Sequence, residues 1–318
     1  MEKEPFVNST VLLFDTKLHV RKQTRSILNI VGFWKIEECE AIDDVRLALA
    51  NRRFDLAIFA VLDRDDGVSE LVSDVRRFRC GDDPFLPIIL SSWDARLGLV
   101  RSIIDAGADD FLAHPFSTTD LSDRINALVT NRKPFIVTEE YFGPDRRTTE
   151  ARGNDAGSVA VPNALLARVE GNPELGPSAD FIEASLSQLR RVKMRNIARR
   201  MWAIADVLYK AYGDPSLPDW IERELLQILK SGRKLQEAIP PREVAQLGGL
   251  CDTVIQAANR LRVGRPSETD LELLEKSALA LRVASQLGGD SADAATEISD
   301  ALAGIRGKHQ DLIKSVIG

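Results

Sequence analysis

Two short apolar runs in this chain end on residues of opposite chemical character. Val11-Leu12-Leu13-Phe14 leads into Asp15 and Thr16, whereas Leu56-Ala57-Ile58-Phe59 leads into Ala60. Runs of this kind read as strands buried on both faces of a parallel sheet. In an open α/β sheet, ligands and chemistry collect at the carboxyl edge of the strands. A carboxylate at that edge can bind a cation or act as a nucleophile, and a methyl group can do neither. A third run, Leu86–Ser91, brings a hydroxyl to the same edge at Ser92, with Ser91 the alternative if the register shifts by one. A fourth, Ala108–Ala113, delivers His114. Just past Ala60 lies Asp63-Arg64-Asp65-Asp66-Gly67. Asp63 competes for the role of reactive acid. It stands beyond the strand end, however, so the segment reads as a solvated turn.

To bring these residues to one edge, strands must alternate with helices. The apolar spacing predicts strands at residues 10–15, 35–39, 55–60, 86–91 and 108–113. Between and after them it predicts helices near 18–31, from Asp43-Asp44 onward, 68–79, 94–106 and 119–131. The first has Ile27, Leu28 and Val31 inward and Gly32 as its stop, and the second has Val45, Leu47 and Leu49 as its apolar positions. This alternation means βαβ units with right-handed crossovers.

Residues 9–132, and most specifically Ala106-Gly107-Ala108-Asp109-Asp110-Phe111-Leu112-Ala113-His114-Pro115-Phe116, resemble the response-regulator receiver (CheY-like) family. The resemblance implies a five-stranded doubly wound parallel sheet and a cis peptide before Pro115. It also implies a phosphorylation pocket. In that pocket, two acids hold Mg²⁺ after strand one; here Asp15 is kept and Thr16 stands at the second position. The phosphate-accepting aspartate is replaced by Ala60. Ser92 matches the hydroxyl after strand four, Phe111 the aromatic switch position, and His114 replaces the lysine that pairs with the phosphate. Phosphoryl transfer needs a nucleophile, a divalent cation and a fixed positive charge. Alanine is no nucleophile, one carboxylate with a hydroxyl is a poor ligand set for a hard cation, and an ordinary histidine is mostly neutral at pH 7. A pseudo-receiver is therefore expected, with no cofactor, no metal and no catalysis.

With 318 residues, two domains are expected. The net charge of −6 gives no general reason for nucleic acid as the main partner. Cys39, Cys80 and Cys251 are too scattered for a disulfide framework, which fits a reducing cytoplasm. No signal peptide or membrane span is expected.

The expected division is a pseudo-receiver over 1–133, a flexible linker over 134–177 and a helical bundle over 178–318. Phe135-Ile136-Val137 is read as adding an apolar contact to the first of these. The rest of the linker is rich in Gly, Pro, Asn and Ser. It contains Gly143-Pro144-Asp145-Arg146-Arg147, whose Arg146 and Arg147 can grip phosphates; the alternatives are an exposed linker or a clip onto the first domain. From Ser178 the apolar period becomes helical, predicting five or six helices. Met194, Ile197, Met201, Ile204 and Leu208 form a 3-4-spaced seam, read as a dimer interface or bundle core, with a lean to the dimer. Six cations between Arg190 and Arg200 read as a wet helix face or a site for an acidic partner. The functional expectation is a bacterial signalling adaptor that binds a protein partner. The alternatives are a cyclic-dinucleotide effector using the linker arginines and a DNA-binding regulator using the basic helix.

Overall fold

The computed structural model describes residues 6–62, 67–94, 104–147, 157–211, 217–241, 243, 247–263 and 267–287. Asp63, residues 95–103 of the predicted helix 94–106, and the predicted helix 291–305 lie outside them.

The chain divides into two compact units, Met1–Leu189 and Arg190–Gly318. In the first, β1 (Thr10–Phe14), β2 (Lys35–Cys39), β3 (Leu56–Ala60), β4 (Ile88–Ser92) and β5 (Asp110–Ala113) form one parallel sheet in the order β2-β1-β3-β4-β5. Alternate residues of a strand face opposite sides, and the two cores follow from this. Leu12 and Phe14 pack with Val45, Leu71 and Val72 of α2 (Ile42–Asn51) and α3 (Val68–Arg76). Val11 and Leu13 pack with Leu28, Leu121 and Ile125 of α1 (Leu18–Val31) and α4 (Thr118–Thr130). The doubly wound α/β fold is as the sequence predicts. Two details differ. The predicted strand at 86–91 ends one residue later, at Ser92. Leu47, expected inward, is 63% exposed, because helical spacing places Val45, Ala48 and Leu49 on the buried face and turns position 47 outward.

Helix ends are set locally. α1 stops at Gly32, whose φ of 112° is the left-handed conformation glycine tolerates best. α4 begins with a capping box in which Ser117 and Asp120 satisfy each other's backbone N–H groups. The peptide bond before Pro115 is cis.

The stretch expected to be a flexible linker is instead largely seated on the α/β unit. β6 (Phe135–Val137) and β7 (Phe142–Pro144) pair antiparallel, and Val159 bridges to Phe135. α5 (Ala164–Glu170) inserts Leu165 into the core beside α1 and α4. Low apolar content hides this because one ring does most of the anchoring: Phe135 is fully buried, edge-on to Phe85 and Phe142. Burial of such a ring contributes about 2 kcal/mol. Residues 134–147 thus form a strap closed onto the sheet unit, the clip that the sequence left open. The unit boundary falls after Leu189, inside α6 (Ala179–Lys210), rather than at 177.

In the second unit, the later part of α6 packs with α7 (Leu217–Ala238), α8 (Gly249–Val263) and α9 (Glu268–Leu287). α9 starts at Ser267, whose hydroxyl accepts from the Asp270 N–H at 3.2 Å. The 3-4 seam is placed differently from the lean to a dimer. Met194, Ile197, Met201 and Leu208 are buried in the bundle's own core with Leu225, Ile228, Val254 and Leu274, and Ile204 is partly buried against it. The same spacing serves a core within one chain or between chains. Arg190, Arg191, Arg195, Arg199 and Arg200 are exposed and Lys193 half-exposed, the wet face of α6.

Candidate functional site

The carboxyl edge of the sheet brings together the residues singled out in the sequence. Asp15 directly follows β1, Ala60 ends β3 in register with Ser91, Ser92 ends β4, and His114 follows β5. Asp15 is buried, and its Oδ1 accepts the Lys17 N–H at 2.7 Å, holding the first turn of α1. The Asp15 carbonyl accepts from the Arg21 guanidinium at 2.6 Å. Arg21 also pairs with Glu38 and Glu40 at 3.3 and 3.4 Å, so this nearby cation is already engaged. Bonds from Arg25 and Arg21 hold the Glu38 carboxyl below its usual range. Thr16 is exposed, and Phe111 is half-buried against the α2–α3 core.

At the other side of the edge, the Ser92 hydroxyl accepts the Asp94 N–H at 3.1 Å, and the Ser92 carbonyl accepts the His114 N–H at 2.9 Å. His114 lies parallel to the Trp93 ring at 4.8 Å and tilted on Phe116 at 4.6 Å. Its Nε2 is buried and without a hydrogen-bond partner among the described residues. Burial pushes the His114 pKa down, with Asp15 acting in the opposite sense and Lys17 reinforcing the fall. An imidazole held this way is neutral at pH 7 and offers no fixed positive charge. Trp93, which the sequence reading passed over, is 54% exposed and covers His114.

Among the described residues, no three His, Cys, Asp or Glu side chains converge as a metal site. Among the described residues, a divalent cation would find at Asp15 and Thr16 one carboxylate, already bonded to a backbone N–H, and one exposed hydroxyl. That set does not fit a hard cation's need for several oxygens.

The amino-terminal edge carries a second polar centre. Arg76 is 1% exposed. It donates to the carbonyls of Gly107, Pro84 and Leu86 at 2.7–2.8 Å and to Asp109 Oδ2 at 2.7 Å. Asp109 also accepts from Arg132 Nε at 2.9 Å and from the Ile88 N–H at 2.9 Å. Burial pushes the Arg76 pKa down and Asp109 opposes it. The strap closes over this centre. Gly107 has φ 99°, and a Cβ there would lie 2.6 Å from the Phe142 carbonyl oxygen, so only glycine lets the two backbones meet. Arg146 donates to the carbonyls of Ala108 and Asp109 at 2.6 and 2.9 Å, and Arg147 forms a bidentate pair with Asp145 at 2.9 Å. The two arginines read as phosphate grips are thus engaged within the chain. Asp109 and Asp110 were visible only as part of a motif; the buried partner, Arg76, carried no signal beyond an arginine on the inner face of a helix.

Residues 11–126 match the family model described as the response regulator receiver domain. That segment is a receiver domain. The chain is 31% identical over 130 residues to the response regulator MprA of Mycobacterium leprae, covering 41% of this chain and 54% of that protein. It is 31% identical over 119 residues to the swarming motility regulation protein RssB of Serratia marcescens, covering 37% and 52%. The chain thus spans about half the length of the curated relatives it matches. A solved CheY-like receiver domain protein from Methanospirillum hungatei is 23% identical with a TM-score of 0.33, covering 37% of this chain and 90% of that one. The receiver match does not extend to the helical unit. No helix among the described residues is long and apolar enough to cross a membrane.

Proposed function

We propose that this chain is a receiver-type signalling module of a bacterial two-component pathway that takes no phosphate at the usual strand tip. It acts in the cytoplasm by binding a protein partner through its α/β unit. The helical unit carries the output. The observation that carries this reading is Ala60 at the end of β3, in register with Ser91 and one strand from Asp15. A methyl group stands where a receiver presents its nucleophile. The neutral, aromatic-stacked His114 and the capped Asp15 support the same reading, because among the described residues neither offers Ala60 a fixed cation or a full cation-binding set.

The cyclic-dinucleotide alternative finds no support in Arg146 and Arg147, whose guanidiniums already bond the chain's own carbonyls and Asp145. Dimerisation through Met194–Leu208 is not part of the proposal, because that seam lies in the bundle core.

Incubation of the full chain with acetyl phosphate and Mg²⁺, followed by intact-mass measurement, tests the reading. The expected result is no phosphoryl increment. Stoichiometric labelling, mapped to Asp63 or any other acid of the receiver, would overturn it.

A further inference from the structure

α3 ends in a hydrogen-bonded reversal in which the Phe78 N–H donates to the Val75 carbonyl at 3.1 Å and the Arg79 N–H to the Asp74 carbonyl at 2.8 Å. This is a Schellman turn, and its pivot residue must be left-handed. α1 ends the same way with Gly32 as pivot, the Phe33 N–H donating to the Leu28 carbonyl at 3.0 Å. In α3 the pivot is Phe78, at φ 62°, the one non-glycine residue with positive φ among the described residues. Here Cβ crowds the following carbonyl. The ring is 52% exposed, so burial does not offset that strain. Phe78 is flanked by Arg77 and Arg79, both exposed. Arg77 donates to the Glu140 carbonyl at 3.2 Å, and Arg79 lies 3.9 Å from Asp74.

α3 runs antiparallel to the strands, as every crossover helix of a parallel sheet does. The turn therefore stands at the amino-terminal edge, opposite Asp15, Ala60 and Ser92.

We infer that Arg77-Phe78-Arg79 is a docking knuckle for a short acidic peptide segment of a partner protein. The Phe78 ring is the apolar anchor, and the two guanidiniums receive carboxylates on either side. Aromatic and arginine side chains dominate interface energetics, and a turn that holds the ring outward at a cost to the fold presents it already ordered. The surroundings favour a short peptide over an extended polyanion. Asp82 is exposed four residues beyond the ring, and exposed Glu140 adjoins Arg77. The acids confine the basic surface to the two guanidiniums beside the ring, a span that suits a pair of carboxylates and is too short for a nucleic acid strand or an anionic membrane. The inference does not depend on whether Ala60 silences the opposite edge.

The test is selection of phage-displayed random dodecapeptides on the full chain, with counter-selection on Phe78→Gly. The expected yield is peptides carrying an apolar residue flanked by Asp or Glu. A synthetic, fluorescein-labelled version of the leading sequence should lose at least tenfold in affinity with Phe78→Gly and with the double variant Arg77→Glu/Arg79→Glu. The melting temperature of Phe78→Gly should not fall, because glycine suits the pivot. Failure to recover peptides, recovery of peptides without carboxylates, or equal binding to Phe78→Gly would overturn the inference. So would a lower melting temperature of Phe78→Gly, which would mean the ring serves the fold. Binding of a single-stranded oligonucleotide or phosphatidylserine vesicles with the same dependence on Phe78 would also refute it.

Discussion

Asp109→Asn should be among the most destabilising single changes in the receiver. The carboxylate joins Arg76, 1% exposed, to Arg132, and both oxygens are in use: Oδ2 by Arg76 and the Ile88 N–H, Oδ1 by Arg132. An asparagine keeps one acceptor, but its NH₂ then faces a guanidinium N–H, donor against donor, and two buried cations lose the carboxylate that bonds them both, with Asp83 the nearby acid that remains. Breaking a buried pair by removing one partner costs about 3–5 kcal/mol. For a unit of this size, Met1–Leu189, melting shifts by roughly 2–4 °C per kcal/mol, so a fall of ~6–20 °C is expected. Hydrogen exchange of peptides from β4 and β5, followed through thermal or urea unfolding of the full chain, reports this unit separately from the helical one. The double variant Asp109→Asn/Arg132→Gln should be less damaged than the sum of its parts by about 1 kcal/mol or more, because the second change removes one of the stranded cations. A loss below about 1 kcal/mol for Asp109→Asn, or strict additivity in the double variant, would refute the view of Asp109 as the hub of the amino-terminal edge.

His114 is depressed in the folded state from its ordinary 6.5. The unfolded chain therefore takes up its proton first as pH falls, and receiver stability should decline below about pH 6.5, continuing until the folded histidine titrates. His114→Phe, which keeps the stack between Trp93 and Phe116, should flatten that part of the stability–pH curve in denaturant titrations at several pH values. An unchanged slope would mean another group is responsible. Arg146→Ala should lower receiver stability by roughly 1.5–3 kcal/mol, the range for hydrogen bonds from a charged group, as read by urea unfolding. A fully stable variant would show that the arginine is not engaged with the chain in solution.

The sheet was readable because β1, β3 and β4 are largely continuous apolar runs and turn sequences such as Gly32 and Gly81-Asp82-Asp83-Pro84 punctuate the chain, whereas β2, Lys35-Ile36-Glu37-Glu38-Cys39, carries a weak signal. The edge residues followed directly, since Asp15, Ala60, Ser92 and His114 each stand at or just past a strand end. Other features depend on tertiary partners that a local pattern does not contain. Leu47 was misplaced by counting in twos where the helix counts in threes and fours. The Met194–Leu208 seam has the same spacing whether its partner is a second chain or α7, α8 and α9. The strap was hidden by composition, because a single fully buried Phe135, the close approach of Gly107 to the Phe142 carbonyl and backbone hydrogen bonds need few apolar residues. Asp109 was legible only as part of the Ala106–Phe116 motif, and nothing local pointed to Arg76, 33 positions earlier in the chain, as its buried partner.

The seat occupied by Phe135 also determines where the receiver can be cut. Its ring rests under the guanidinium carbons of Arg76 and Arg132, at 5.2 and 5.3 Å, and against Phe85. Severing the polypeptide after residue 133, at the apparent end of the sheet unit, would open a hole floored by an aromatic ring and rimmed by two desolvated cations. Such a fragment would be sticky, and its binding partners in a mixture would report the wound rather than the native surface. A faithful isolated receiver has to retain its own plug, through Leu189.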